Sequence, residues 1–179
     1  MMTKIFITGS NKINKFDYAK AIMDKDDDLS ISQVFTNDEK YKDITNEYVY
    51  YLDPIDIDLS YKNNAFLFIN AKDMIYNGIT FDSFYNEDIF CIGIDELNSI
   101  PNYIFEYNDI LVVWVDTKIH GRDKENESDI LATKHLIERL DSLNTIYFLD
   151  ETPEKVANVV LEYLEGDNDT KQRILEENY

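Results

Sequence analysis

The first residues of the chain have the spacing of a phosphate-binding loop. An apolar segment ending at Thr8 runs into Gly9, and Lys15 follows six residues later, where a helical pattern begins. The pattern GxxxxGK[ST] can be laid over this stretch without a gap; its glycines let backbone amides approach a phosphate, and its lysine neutralises the phosphate charge. The residues that would surround the phosphates are Gly9, Ser10, Asn11, Lys12, Asn14 and Lys15.

Two of the four fixed positions in that pattern are changed. Asn14 stands where the second glycine belongs, and Phe16 stands where a hydroxyl would ligate magnesium. Asparagine can adopt a left-handed backbone, so Asn14 is compatible with the shape of the loop. Phe16 removes a metal ligand and places a large apolar group in the first helical turn. We therefore expect ATP and magnesium to bind weakly or not at all.

A pair of carboxylates follows the apolar run from Ile89 to Ile94. Asp95 and Glu96 are expected where that run ends as a strand. A carboxylate at the end of a strand beside the loop is the group that holds magnesium in sites for nucleotide hydrolysis or phosphoryl transfer. The sequence therefore predicts Asp95 and Glu96 as the metal ligands.

Apolar runs and helical periodicity predict the elements that position these residues. Strands are predicted at 4–8, 31–36, 47–53, 65–70, 89–94, 110–115 and 145–149, and the segment 56–60 is interpreted as an edge strand or a loop. Helices are predicted from Lys15, from Ser128 to Leu140 and from Pro153, while the segment from 71 to about 86 is interpreted as helical or irregular.

Buried strands that alternate with amphipathic helices predict an α/β fold, a three-layer sandwich with a mostly parallel central sheet. The strands containing Ile5, Ile92, Val113 and Tyr147 should be parallel, with the Ile5 strand next to one of the Ile92 and Val113 strands or between them. Gly9, Asp95, Asp116 and Asp150 would then share the carboxyl edge of the sheet. We expect one domain over residues 1–166, followed by a charged tail over 167–179 that is a short helix or partly mobile.

The loop and the carboxylate pair, in this order, resemble the phosphate loop and metal-binding strand of P-loop NTPases, and within them the small nucleotide kinases. Residues 108–116 and 145–156, with a charged segment and a helix between them, are similar to the strand, lid and final helix of thymidylate and deoxynucleoside monophosphate kinases. Residues 93–96 are similar to the matching stretch of thymidine kinases. The order also suits the ATPase core of an AAA+ module, with Arg139 near the place of a finger arginine.

This resemblance implies catalytic roles for Lys15, Asp95 and Arg122, the last of these in the lid. The kinase lid is normally rich in arginine, whereas Arg122 has acidic residues around it, including Asp123 and Glu125. Together with the altered loop, this predicts a degenerate member of the superfamily in which phosphoryl transfer is inefficient or lost.

Charge is the strongest signal in the composition, because 36 acidic residues against 17 basic ones give a formal net charge of -19. Such a surface repels nucleic acid and anionic lipid, and favours a protein partner with a basic surface. No apolar run reaches the ~18 residues that would span a bilayer. The single cysteine and the absence of a secretory signal pattern at the N-terminus predict a cytoplasmic protein.

Four functions are therefore compatible with the sequence. The first is a degenerate P-loop protein that acts by binding another macromolecule, and the second is an active nucleotide kinase or NTPase with an atypical loop. The third is a Rossmann-like nucleotide-sensing domain in which Gly9 is only a turn glycine, and the fourth is an acidic inhibitor that mimics DNA.

Overall fold

The computed structural model describes residues 3–10, 12–43, 47–72, 74–117 and 143–177. Its strands are β1 (Lys4–Gly9), β2 (Val34–Thr36), β3 (Val49–Tyr51), β4 (Phe66–Lys72), β5 (Ile75–Thr80), β6 (Ile89–Cys91), β7 (Ile110–Asp116) and β8 (Asn144–Leu149). Its helices are α1 (Lys15–Met23), α2 (Pro54–Lys62), α3 (Phe81–Asn86), α4 (Ile94–Ser99), α5 (Asn102–Tyr107), α6 (Pro153–Glu165) and α7 (Asn168–Glu176), with a 3₁₀ turn at Glu39–Tyr41. None of the helices in these ranges is long and apolar enough to cross a membrane.

Four parallel strands form the central sheet in the order β6-β1-β7-β8. In this register Ile7 lies between Cys91 and Val113, and Val113 lies opposite Ile146. The prediction of one parallel sheet with the Ile5 strand between its two neighbours is confirmed. The apolar runs made this possible, because strands that are buried on both faces are apolar at every position.

Both faces of this sheet are covered by helices, which confirms the α/β sandwich. Ile5 and Ile7 pack into a core with α1, α6 and α7, whereas Phe6 points to the opposite core, where α3, α4 and α5 pack. Alternation of side chains along β1 divides these residues between the two cores. Thr152 caps α6 by accepting a hydrogen bond from the amide of Lys155, as its position before Pro153 predicts.

A second sheet, which the sequence pattern did not predict, has the order β3-β2-β5-β4. β4 and β5 form an antiparallel hairpin, although residues 75–80 fall in the segment that was expected to be helical or irregular. Residues 56–60 were expected in an edge strand or loop, but they belong to α2. Pro54 at the start of the helix favours this outcome, and only Ile57 of α2 is buried, so its alternating pattern does not reflect a strand.

Two predicted strands are shorter than expected, and β6 changes the position of the acidic pair. β2 begins at Val34 rather than at Ile31, which makes only an isolated bridge to Ile89. β3 is limited to Val49–Tyr51, and β6 ends at Cys91. Residues 94–96 lie in the first turn of α4, so the expectation that Asp95 and Glu96 follow directly on a strand is wrong.

The C-terminal segment forms α7, in agreement with one of the two forms expected for the tail. Asp167 caps this helix by accepting a hydrogen bond from the amide of Thr170. Ile174 is fully buried in the core that also contains α1 and α6, so this segment contributes to the packing of the domain. The predicted helix from Ser128 to Leu140 lies outside the described residues.

Candidate functional site

Gly9, the first residue of the candidate loop, has a backbone that only glycine tolerates well. Its φ is +118°, and a Cβ atom there would lie 2.0 Å from the carbonyl oxygen of Val115. The next amide, that of Ser10, donates a hydrogen bond to the same oxygen at 3.1 Å. Gly9 therefore lets the end of β1 pass closely along β7, a requirement that exists with or without a phosphate.

The amides of the loop donate to acceptors of the loop itself. The amide of Lys12 donates to Ser10 Oγ at 3.2 Å, and the amide of Ile13 donates to the Ser10 carbonyl at 3.3 Å. The predicted loop residue Asn11 lies outside the described residues. The described amides are thus directed at the chain's own oxygens, whereas a phosphate-binding loop presents its amides to the ligand.

Asn14 is the N-cap of α1. Its Oδ1 accepts from the amide of Phe16 at 3.3 Å, and its Nδ2 donates to Asp17 Oδ1 at 2.9 Å. Its φ is -77°, so the expected left-handed conformation at the second glycine position is wrong. An N-cap residue has an extended backbone because its side chain must turn back onto the helix, and this requirement outweighs the glycine-like geometry. The side chain therefore occupies the helix end at which a phosphate would be bound.

Lys15 is turned onto its own loop. Its Nζ donates a hydrogen bond to the Ser10 carbonyl at 3.2 Å. Burial lowers the pKa of Lys15, while nearby Cys91 and Glu96 act in the opposite direction. Burial also raises the pKa of the Cys91 thiol, which is 7% exposed, so this thiol is neutral at physiological pH. Glu96 is therefore the charged partner of Lys15 in this group.

The two carboxylates predicted as metal ligands lie in different surroundings. Asp95 is exposed in the first turn of α4. The Glu96 side chain folds back over the helix N-cap Gly93, where an added Cβ would overlap the carboxylate. No group of three or more histidine, cysteine, aspartate or glutamate residues that could hold a metal ion is found within the described ranges.

Phe16 contacts a residue that the sequence did not single out. Its ring stacks on Tyr48, with 4.8 Å between the ring centroids and 16° between the planes. Tyr48 lies just before β3, so this contact joins the first turn of α1 to the second sheet. Burial raises the pKa of Tyr48, with smaller contributions from neighbours that include Glu47 and Asp24. The clustering of tyrosines in this segment was the one available signal, and it indicated only a strand.

The other predicted edge residues are held together by Thr117. Thr117 Oγ1 donates to Asp150 Oδ1 at 2.8 Å, and the amide of Thr117 donates to Asp116 Oδ1 at 2.8 Å. These contacts confirm that Asp116 and Asp150 share the carboxyl edge of the sheet, but both carboxylates have acceptor roles in joining β7 to β8. Arg122, the predicted lid residue, lies outside the described residues.

Thr8, beside Gly9, is a second residue that the sequence pattern did not single out. It is fully buried, and its Oγ1 has no hydrogen-bond partner among the described residues. A buried hydroxyl without a partner reduces stability. No local signal indicates this, because threonine is common in strands and usually finds a partner.

Comparison with known proteins concerns the fold. No protein-family model matches the chain, and no curated protein matches its sequence. The solved structure of guanylate kinase from Anaplasma phagocytophilum is similar, with a TM-score of 0.61 and 9% sequence identity over 91% of this chain and 84% of that chain. The chain has a guanylate kinase-like fold.

This likeness confirms the P-loop nucleotide kinase fold that the sequence resemblance implied. It also gives the loop of residues 9–15 a defined place, between the first strand of a parallel sheet and the helix after it. At 9% identity the likeness does not extend to individual site residues. The chemistry of the loop is therefore decided by the local geometry of Asn14, Lys15 and Phe16.

Proposed function

We propose that this protein is a nucleotide kinase-like protein that does not transfer phosphoryl groups efficiently and acts by binding another protein. The observation that carries the proposal is the cap at the start of α1. The side-chain oxygen of Asn14 already accepts from the amide of Phe16, and the side-chain amide of Asn14 holds the carboxylate of Asp17 beside the same helix end.

A helix N-terminus attracts a phosphate because its first amides are unpaired and carry partial positive charge. In this chain the cap satisfies one of those donors, and Asp17 adds a full negative charge within the first turn. A phosphate would have to displace the Asn14 side chain and approach an exposed carboxylate. The Lys15 ammonium, the nearest cation of the loop, is bonded to the Ser10 carbonyl and lies near Glu96.

The described donors do not fit a magnesium-nucleotide complex either. Phe16 offers no hydroxyl, and the hydroxyl oxygen of Ser10 accepts from the amide of Lys12. Asp95 lies four residues beyond the end of β6, and Glu96 lies over Gly93. We therefore derive no reaction step through magnesium or ATP, and we expect both to bind weakly or not at all.

The charge of the chain supports a macromolecular partner with a basic surface. A net charge of -19 on 179 residues repels nucleic acid, and it speeds association with a basic protein through long-range attraction. This electrostatic argument concerns the class of partner.

An active nucleotide kinase is the second candidate. Lys15 supports it, because a partly buried lysine beside the carboxylate of Glu96 could be released toward a phosphate if the loop rearranged. The guanylate kinase-like fold is compatible with this activity.

Calorimetry with MgATP and MgGTP, together with a coupled assay of phosphoryl transfer to each nucleoside monophosphate, tests the proposal. We expect millimolar or undetectable binding and no turnover. The matched variants are Lys15→Ala in the loop and Lys25→Ala, which removes an exposed lysine just after α1. Turnover that is abolished by Lys15→Ala and kept by Lys25→Ala would refute the proposal and establish the kinase instead.

A further inference from the structure

β4 is an edge strand of the second sheet, and it pairs only with β5 among the described strands. It has seven residues, Phe66–Lys72, whereas the opposite edge strand β3 has three. An edge strand leaves a row of backbone donors and acceptors available for pairing with another chain, and proteins usually protect long apolar edges. β4 is therefore the more open of the two edges.

An open groove of about 350 Å³ runs beside β4. Its β4 lining consists of the four consecutive residues Phe66–Ile69. Successive side chains of a strand point to opposite faces, so a groove that touches four in a row must follow the edge of the strand rather than one face. The remaining lining residues come from α2, the turn after it, α3 and the start of α5: Tyr61, Asn64, Phe81, Pro101 and Tyr103.

We propose that this groove binds an extended segment of a partner protein, in which lysine or arginine alternates with apolar residues, as an added strand on β4. Backbone pairing with a sheet edge is an established mode of peptide recognition, with side-chain pockets giving specificity. The inference rests on the proposed function, because it names the surface and the kind of partner for the binding role.

The walls of the groove favour a cationic segment. Tyr61 and Tyr103 are 60% and 48% exposed, and the faces of aromatic rings attract lysine and arginine. The helices that supply these walls carry mainly acidic side chains, and the lysine of α2, Lys62, is paired with Asp58. The carboxylates on α2, α3 and α5 are Asp56, Asp58, Asp82 and Glu106.

The same charges argue against a second copy of this chain as the occupant. Two molecules that each carry a net charge of -19 repel one another, and edge-to-edge pairing would bring their acidic helices together. A basic segment instead gains attraction from the same groups.

The test uses three nine-residue peptides with blocked termini. The first alternates lysine and valine, the second has glutamate in place of lysine, and the third repeats the first with alternate backbone amides N-methylated along one edge. Calorimetry gives the affinity, and amide shifts of the ¹⁵N-labelled full chain give the location. We expect the first peptide to shift the amides of β4 and to bind about tenfold or more tightly than either of the others.

Equal binding of the N-methylated peptide would mean attraction by charge alone, and it would overturn strand addition. Shifts confined to residues outside β4 and the groove would overturn the location. Sedimentation equilibrium checks the other occupant, because a dimer that forms without peptide and protects the amides of β4 would assign the edge to a second copy and refute the proposal.

Tyr103→Lys should weaken the lysine-valine peptide by about tenfold, because it removes a ring and adds a like charge in the groove. Tyr50→Lys, on the opposite edge strand and at a comparable 51% exposure, should change the affinity by less than about twofold. Equal effects of the two variants would overturn the location. MgATP is titrated into the same sample: if neither peptide nor nucleotide binds, the β4 assignment fails while the loss of nucleotide chemistry stands, whereas tight MgATP binding refutes the proposed function.

Discussion

The ring of Phe16 lies nearly parallel to the ring of Tyr48, with 4.8 Å between their centroids. Phe16 is the residue that replaces the magnesium-binding hydroxyl of the loop pattern, and Tyr48 leads into the second sheet. The substitution that removes a metal ligand therefore adds a contact between the helix after the loop and a segment distant in sequence. Loss of one interaction and gain of another occur at the same side chain.

A double-mutant cycle measures this contact. Phe16→Leu and Tyr48→Leu should each lower the free energy of unfolding, and the coupling between them should be about 0.5–1.5 kcal/mol, the range for aromatic pairs. Urea unfolding of the four proteins gives the coupling. A coupling near zero would show that the two rings contribute independently, and the stacking would then have no role in joining α1 to the second sheet.

Gly9→Ala should destabilise the protein by about 2–4 kcal/mol, because alanine is strained at φ +118° and its Cβ would meet the Val115 carbonyl oxygen. Gly93→Ala is the matched control. Gly93 has φ -78°, and only the flexible end of Glu96 would have to move, so we expect a cost below about 1 kcal/mol. Chemical unfolding distinguishes the two, and similar losses would argue against a special requirement at Gly9.

Thr8→Val should stabilise the protein by about 1 kcal/mol, because it removes a fully buried hydroxyl that lacks a partner in the described part of the chain. Thr145 is also buried, but its Oγ1 donates to the Leu143 carbonyl at 3.4 Å, so Thr145→Val should be neutral or destabilising. Thermal and urea unfolding measure both. A loss of stability in Thr8→Val would mean that the hydroxyl has a partner in solution.

Stability should fall at alkaline pH because of Cys91. Burial raises the pKa of this thiol above its usual value of 9.0, so the unfolded chain loses the proton first as the pH rises. The folded state then binds more protons than the unfolded state, and stability declines by up to about 1.4 kcal/mol per pH unit above that value. Lys15, whose pKa is lowered by burial, acts with the opposite sign, because there the unfolded state holds the extra proton.

Urea unfolding between pH 8 and about 10.5 tests this linkage in wild type and Cys91→Ala. The variant loses stability at every pH through its small cavity, so the slope against pH is compared rather than the absolute value. We expect a shallower alkaline decline in Cys91→Ala. Parallel curves for the two proteins would rule out the thiol as the group responsible.

The parallel sheet was predictable because its strands are apolar at consecutive positions, a pattern that depends little on the rest of the fold. The second sheet was not, since β5 contains Asn77 and Gly78 and its pairing with β4 depends on a hairpin that the local pattern does not indicate. α2 was misinterpreted because its alternating aspartates and apolar residues imitate a strand.

At the loop, the helix start at Lys15 was predictable from the sequence, but the direction of the side chains was not. Asn14 is compatible both with a glycine-like turn and with an N-cap, and only the structure distinguishes them. The same limit applies to Phe16, whose partner Tyr48 is 32 positions away in the sequence. Contacts between distant segments decide the chemistry of this loop, and such contacts leave no local pattern.

Two substitutions should restore the phosphate site. Asn14→Gly should free the amide of Phe16, and Phe16→Thr should supply a hydroxyl, while Lys15 remains in place. If these two residues are what prevents nucleotide binding, the double variant should bind MgATP at least about tenfold more tightly than wild type, or ~1.4 kcal/mol, within the range of a charge-assisted hydrogen bond. Adding Asp17→Asn should increase the gain further, because it removes the carboxylate from the first turn of α1.

The loss of the Asn14 cap costs about 1 kcal/mol, and the loss of the partly buried Phe16 costs about 2–3 kcal/mol, so folding must be checked first by circular dichroism and urea unfolding. Asn14→Gly with Phe16→Leu is the control, since it opens the cap and changes the ring without supplying a hydroxyl. A folded Asn14→Gly, Phe16→Thr variant with the same affinity as this control would show that the hydroxyl is not the missing element. The loop would then be a structural turn between β1 and α1 rather than an altered phosphate site.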